Sequence, residues 1–164
     1  MMLDTDILSM LGKVNRADLL RKLFPNTDLA ISFEVYNELL RAKEAGYDFV
    51  GDILIQRFKV IHLDSNLISE YEHVKNTLTH LHAGELTSIL LCKKANVDFV
   101  TNDKRAKAYC KDVGVEWLDI VDILRLCYLK HLLDKEEIKY LIRDIEKYDR
   151  TRLALTEEIF IDIT

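Results

Sequence analysis

Short apolar runs alternate with longer stretches of helical period along most of this chain, and that alternation restricts the fold more than any other feature. The runs are MML at 1–3, DLAIS at 28–32, KVIHL at 59–63, VDFVT at 97–101 and VEWLDI at 115–120. Each reads as a strand. Between them lie ADLLRKLF, closed by Pro25-Asn26, then FEVYNELLRAKEAG, which Ser32 caps and Gly46 ends, and YDFVGDILIQRF. A long helix from Asp64 or Ser65 to about His80, then ELTSILLCKKA and KRAKAYCKDVG, complete the series. Strands separated by helices argue for a parallel sheet covered on both faces, because parallel neighbours need a crossover that a helix supplies. Beyond residue 120 the pattern is helical. Asp134 and Glu137 make a capping-box-like start for KEEIKYLIRDIEKY, whose Ile138, Leu141, Ile142, Ile145 and Tyr148 form one stripe.

With one proline, five glycines and no repeat, no linker divides the 164 residues, so a single domain is expected. Cys92, Cys110 and Cys127 are odd in number, widely spaced and set among apolar neighbours. They read as reduced core thiols of a cytoplasmic protein. No apolar run reaches membrane-spanning length, and no signal-like segment opens the chain. The net charge of −5 argues against a broad basic face for gripping nucleic acid, yet a carboxylate site built around divalent cations would itself add to an acidic count.

Ligands of open α/β sheets gather beyond the carboxyl ends of the strands, where strand order reverses. Asp4 ends the first strand in LDTDIL, and Asp103 follows the fourth in FVTND. Glu85 opens the helix leading into the fourth strand. Glu38, in SFEVYNELL, lies beside the apolar stripe of Val35 and Leu39, where an acid is costly without a partner. Each acid also has an ordinary reading: Glu85 favours a helix dipole, Asp4, Asp6 or Asp103 caps a helix, and Glu38 is a surface residue. As a set, crowded carboxylates repel and want a cation, and hard oxygen donors without histidine or thiolate suit Mg²⁺ or Mn²⁺. The reaction class implied is metal-dependent phosphodiester hydrolysis.

Together, LDTDIL at the start, EVYNELL after the second strand and HAGELTSILLCKKANVDFVTNDKRAKAYCKDVGV in the third quarter resemble the PIN domain, and within it the VapC-like toxin ribonucleases and their relatives. The most specific part is the G-E-x(15)-T-N-D-K-R-A block, and the resemblance spans residues 1–133, with a helical extension over 134–164. It implies an α/β; three-layer α/β/α sandwich with a five-stranded parallel sheet, acting as an Mg²⁺- or Mn²⁺-dependent endoribonuclease. Carried over position by position, Asp4, Glu38, Glu85 and Asp103 form the acidic quartet. Asp4 and Asp103 would be direct ligands, while Glu38 and Glu85 would hold metal-bound waters or a second ion. Thr5 matches the hydroxyl after the first acid, and Asn102 the polar residue before the last. Asp6 stands where the family often carries Asn or Ser, and it either tunes the site or caps the first helix. The implied setting is a toxin–antitoxin pair: an RNA substrate, a small antitoxin protein, a homodimer and no membrane. Alternatives are a housekeeping nuclease processing ribosomal or transfer RNA, or an inactive PIN-like scaffold.

Other residues carry less. Lys104, Arg105 and Lys107 follow Asp103 and either meet RNA phosphates or line a solvated helix face. His73, His80 and His82 lack the companions of a zinc set and read as surface or loop residues, His82 at the rim of the site. Lys93 and Lys94 read as solvent-facing, and Trp117 as core rather than a base-stacking platform. No phosphate-cradling glycine loop and no G-x-S-x-G elbow is present.

Overall fold

The computed structural model describes residues 1–154 and 156–161. Strands β1 (Met2–Leu3), β2 (Ala30–Ser32), β3 (Lys59–Ile61), β4 (Phe99–Val100) and β5 (Trp117–Leu118) form one parallel sheet in the order β3-β2-β1-β4-β5. The chain builds outward from β1 through β2 to β3, then returns to the other side of β1 with β4 and β5. Strand order therefore reverses between β1 and β4, the point at which the carboxyl ends of an open sheet part to admit a ligand.

Strand alternation divides the core in two. Leu3, Ile31 and Val100 point to one face, where α1 (Thr5–Lys13), α2 (Asp18–Leu23), α3 (Phe33–Glu44), α4 (Val50–Leu54), α8 (Ile120–Leu129) and α9 (Lys135–Tyr148) pack. Met2, Ala30 and Phe99 point to the other, covered by α5 (Ser65–Val74), α6 (Ala83–Ala95) and α7 (Lys104–Val113). The result is an α/β/α sandwich with a five-stranded parallel sheet, as the sequence pattern and the resemblance both led one to expect. Helix α6 is buried over every residue from Gly84 to Cys92. A helix buried on every side over that span belongs inside a fold.

The helices differ from the periodicity at several places. Helix α1 begins directly after β1, with Asp4 as its N-cap, in a stretch to which the periodicity assigns no helix. Helix α4 keeps only Val50–Leu54 of the stretch 47–58, of which Val50 and Ile53 are buried. Helix α5 stops at Val74 rather than near His80. Ser32 caps α3 and Asp64 caps α5 through their side chains, and Asp134 with Glu137 closes a reciprocal capping box on α9. On α9, Ile138, Leu141 and Ile145 are buried, whereas Tyr148 is 52% exposed and leaves the expected stripe.

The C-terminal extension is only partly helical. After α9, residues 149–154 have no helical geometry and lead to a short 3₁₀ turn, Thr156–Phe160, which packs on α8. Ile159 is fully buried there, and the Phe160 ring meets Tyr128 edge-on at 5.3 Å between centroids. Leu155 and residues 162–164, the rest of the expected extension, lie outside the described residues. Cys92, Cys110 and Cys127 are free and buried, and burial pushes their thiols up to about 12, 12 and 11. No described helix is long and apolar enough to cross a membrane.

Candidate active site

The register of the two central strands decides which residues meet. Met2 pairs with Phe99 and Leu3 with Val100, so the next pair along the sheet is Asp4 with Thr101. The Asp4 N–H still donates to the Val100 carbonyl, at 3.0 Å, and Thr101 N–H to that of Leu118. Because side chains alternate, Asp4 and Thr101 share the face of Met2 and Phe99. There the Thr101 hydroxyl donates to Asp4 Oδ2 at 2.6 Å. The same hydroxyl oxygen accepts from the Asp103 N–H at 3.2 Å. One buried threonine thus couples the end of β1 to the start of α7. Asp103 is the N-cap of α7, its Oδ1 accepting from Arg105 N–H and Ala106 N–H.

Glu38 and Glu85 arrive from helices that flank this point. Glu38 sits one turn into α3 and is half-buried, and the Thr5 hydroxyl donates to its Oε2. Glu85 is the third residue of α6; its Oε2 accepts from the His82 N–H at 2.9 Å, the reciprocal arm of a capping box. Between them Gly84 lets the two helices approach. A Cβ there would lie 2.8 Å from Glu38 Oε1 and 3.1 Å from Val35 Cγ2. Asp6, in the first turn of α1, accepts from Ile7 N–H and, at 2.9 Å, from Asn102 N–H. Asp6 does not cap α1; Asp4 does, and Asp6 instead ties that helix to the end of β4. Asn102 supports the site with its backbone N–H, so any residue other than proline could supply this bond.

These acids affect one another. Burial holds Asp4 well above the usual carboxylate range, and Asp6 and then Glu85 add to the rise against the Thr101 hydrogen bond. Asp6 is pushed up to about 6, chiefly by burial, with Asp103 and Glu85 also raising it. Burial likewise raises Glu85, and the charges of Asp103 and Glu38 work in the same direction. Among the described residues, no lysine or arginine forms an ion pair with any of Asp4, Asp6, Glu38, Glu85 or Asp103. A set of oxygen donors that is acidic, partly desolvated and unneutralised fits a hard divalent cation. Among the described residues, no three His, Cys, Asp or Glu side chains converge as a ready-made cage.

Near Asp103 the exposed Lys104 and Arg105 agree with a solvated helix face, whereas Trp117 departs from the sequence reading. Arg105 donates to the His80 carbonyl at 3.3 Å, and Lys107 pairs with Asp119 at 3.0 Å, while Lys104 is exposed. Trp117 is not core. It is 37% exposed at the edge of the sheet, because β5 has no strand beyond it and its ring lies beside α7. His73 and His80 are exposed, and His82 is the N-cap residue of α6. Thr101 and Gly84 stand in the G-E…T-N-D block, but the sequence assigns neither a role in the site. Thr101 carried a signal, a hydroxyl one register step beyond a paired strand, whereas Gly84 needed the helix–helix approach to be seen.

A family model described as PIN domain matches residues 1–157, well past residue 133, where the sequence resemblance stops. Among solved structures the chain is similar to VapBC-1 from nontypeable Haemophilus influenzae, at 22% identity and a TM-score of 0.54 over 72% of this chain and 96% of that one. At that identity the likeness is one of fold. No curated protein matches the chain significantly. With the family match covering nearly its whole length, the chain belongs to the PIN-domain family.

Proposed function

We propose that this protein is an endoribonuclease that hydrolyses phosphodiester bonds with Mg²⁺ or Mn²⁺ held by Asp4, Glu38, Glu85 and Asp103. The observation that carries the reading is the pair of acids at the switch point, Asp4 and Asp103, joined through Thr101 and neutralised by no cationic side chain of the described residues. A bound divalent ion would supply Lewis-acid stabilisation of the scissile phosphate. Asp4, whose ionised form the Thr101 hydroxyl favours against the effect of burial, and Asp103, fixed by its capping bonds, would be its direct holders. Thr5 orients Glu38 and the His82 N–H orients Glu85, which places two further acceptors for water. Asp6 and Asn102 lock α1 against the end of β4 and so hold Asp4 in position. Lys104, exposed like Arg105 but without Arg105's bond to the His80 carbonyl, is available to an RNA phosphate.

The whole chain acts in this reading as one domain. The toxin–antitoxin setting, with a small antitoxin partner, a homodimer and a cytoplasmic location, is supported by the sequence resemblance to VapC-like toxins and by the fold shared with VapBC-1. Cleavage of single-stranded RNA by the purified protein with Mn²⁺ or Mg²⁺, and its loss in EDTA, tests the activity. Asp4→Asn keeps one oxygen acceptor for the Thr5 N–H and can turn its Nδ2–H donor to the Thr101 hydroxyl oxygen, and Asp103→Asn retains a good N-cap, so both variants should fold and neither should cut. Undiminished cleavage by the double Asp4→Asn/Asp103→Asn variant would falsify the assignment.

A further inference from the structure

Beside the acids, on the side of the sheet edge, lies a cavity of about 360 Å³ that the proposed hydrolysis does not use. Trp117 lines it, with the cations Lys104, Lys107 and Arg152 and the acids Asp119, Asp122 and Glu158. Asn102 is shared between the two places: its N–H bonds Asp6, and its residue lines the cavity. The Lys107 ammonium sits 4.9 Å from the centre of the Trp117 ring, held there by Asp119. Trp117 remains 37% exposed, so part of an indole faces the opening. An exposed indole with Lys104, Lys107 and Arg152 about it, linked through Asn102 to Asp6 of the acidic cluster, has the chemistry of a stacking platform with phosphate anchors.

We propose that this cavity receives one unpaired nucleobase of an RNA strand on Trp117, with Lys104 and Arg152 meeting the flanking phosphates, and so sets which phosphodiester is presented to Asp4 and Asp103. The inference rests on the reading of the chain as a ribonuclease and adds the position of its substrate. A nucleotide fits better than an apolar protein knob. Lys107, Asp119 and Asp122 at the wall would lose their solvent against hydrocarbon, whereas a base edge offers both donors and acceptors. The edge strand and α7 bring the ring and Lys104 together, and the segment between α9 and the 3₁₀ turn brings Arg152.

Trp117 is the single tryptophan of the chain, so its emission reports on this cavity alone. The non-cutting Asp4→Asn/Asp103→Asn protein is titrated with single-stranded decamers of adenylate, cytidylate or uridylate, exciting wavelengths that bypass tyrosine. Saturable quenching is expected, and fluorescence anisotropy of labelled RNA should show about tenfold weaker binding after Trp117→Ala and nearly full binding after Trp117→Phe. Arg152→Gln should weaken binding to all three decamers alike and reduce the salt slope by about one. RNA that binds with no change in emission, or with equal affinity for Trp117→Ala, overturns the proposal. So does emission that responds to a protein partner and to none of the decamers. Cleavage by the wild-type protein is scored separately: cutting with a silent Trp117 sinks only the platform, and neither cutting nor binding sinks the nuclease reading with it.

Discussion

The hydroxyl of Thr101 lies between Asp4 and Asp103, giving its proton to the first at 2.6 Å and accepting the backbone N–H of the second at 3.2 Å. The residue is fully buried, and Asp4 is only 4% exposed. Thr101→Val keeps the shape and removes both bonds. It should destabilise the protein by about 1–3 kcal/mol, since a buried carboxylate loses its donor and an N–H its acceptor. Asp4 would rise further in pKa, because the lost bond favoured its ionised form. Cleavage at neutral pH should therefore fall more than stability does, and Thr101→Ser should restore both. Denaturant melts and cleavage rates for the three proteins check this; a Thr101→Val variant as stable and active as wild type would remove the coupling from the account.

Stability without divalent ions should depend on pH in a direction set by Asp6. Its folded value of about 6 stands above the ordinary aspartate value of about 3.9. The folded state therefore binds the proton more tightly than the unfolded chain. Below about pH 4 both states are protonated and nothing is lost; above about pH 6 the full penalty applies. Raised Asp4 and Glu85 act with the same sign. Metal-free protein should thus gain stability, relative to Asp6→Asn, as pH falls from 7 to 5. Mn²⁺ at pH 7 should raise the melting temperature of wild type, because it binds the folded state alone. Thermal melts of both proteins in EDTA at several pH values decide the matter, and parallel curves would contradict it.

Gly84 separates activity from stability. Alanine there favours helix by up to about 1 kcal/mol. Its Cβ, however, would press on Glu38 Oε1 and on Val35. The flexible end of Glu38 can swing away, which relieves the clash and breaks its bond to Thr5. Gly84→Ala should therefore melt within a few degrees of wild type and cut RNA at least about tenfold more slowly, the scale of losing an outer support to a metal site. An active Gly84→Ala protein would show that the position of Glu38 is immaterial.

The sheet and its covering helices were legible because burial on both faces leaves short apolar runs that no helix could hide. The acids were legible singly. Every one of Asp4, Glu85 and Asp103 does have the ordinary capping role that local sequence offers, and capping is also how each is aimed. What local pattern could not supply was depth across the sheet. Thr101 looks like the last residue of a strand until the register sets it opposite Asp4, and Gly84 like a helix-start residue until α3 is placed against α6. Trp117 departs from its core reading because its run is apolar, while β5 is an edge strand with no further strand outside it among the described residues. Helix α1 was unassigned because LDTDILSMLGK carries its cap inside the strand end.

The residues after α9 offer a test of the single-domain proposal. Ile159 is as buried as the residues of α8 on which it lies, and Phe160 closes over Tyr128 and approaches Lys135 at 5.1 Å. Ile159→Ala removes three buried carbons from the core that also contains Leu3 and Val100. Its cost should be about 2–5 kcal/mol. For a chain of this length that is a fall of about 10 °C in melting temperature. If the extension belongs to the domain, the whole transition moves and stays single, by calorimetry and by far-ultraviolet circular dichroism alike. A small early step, with the main transition unmoved, would show instead a separately unfolding appendage. The cut RNA pattern adds a second readout, because the segment carrying Arg152 runs between α9 and this turn and forms one wall of the Trp117 cavity.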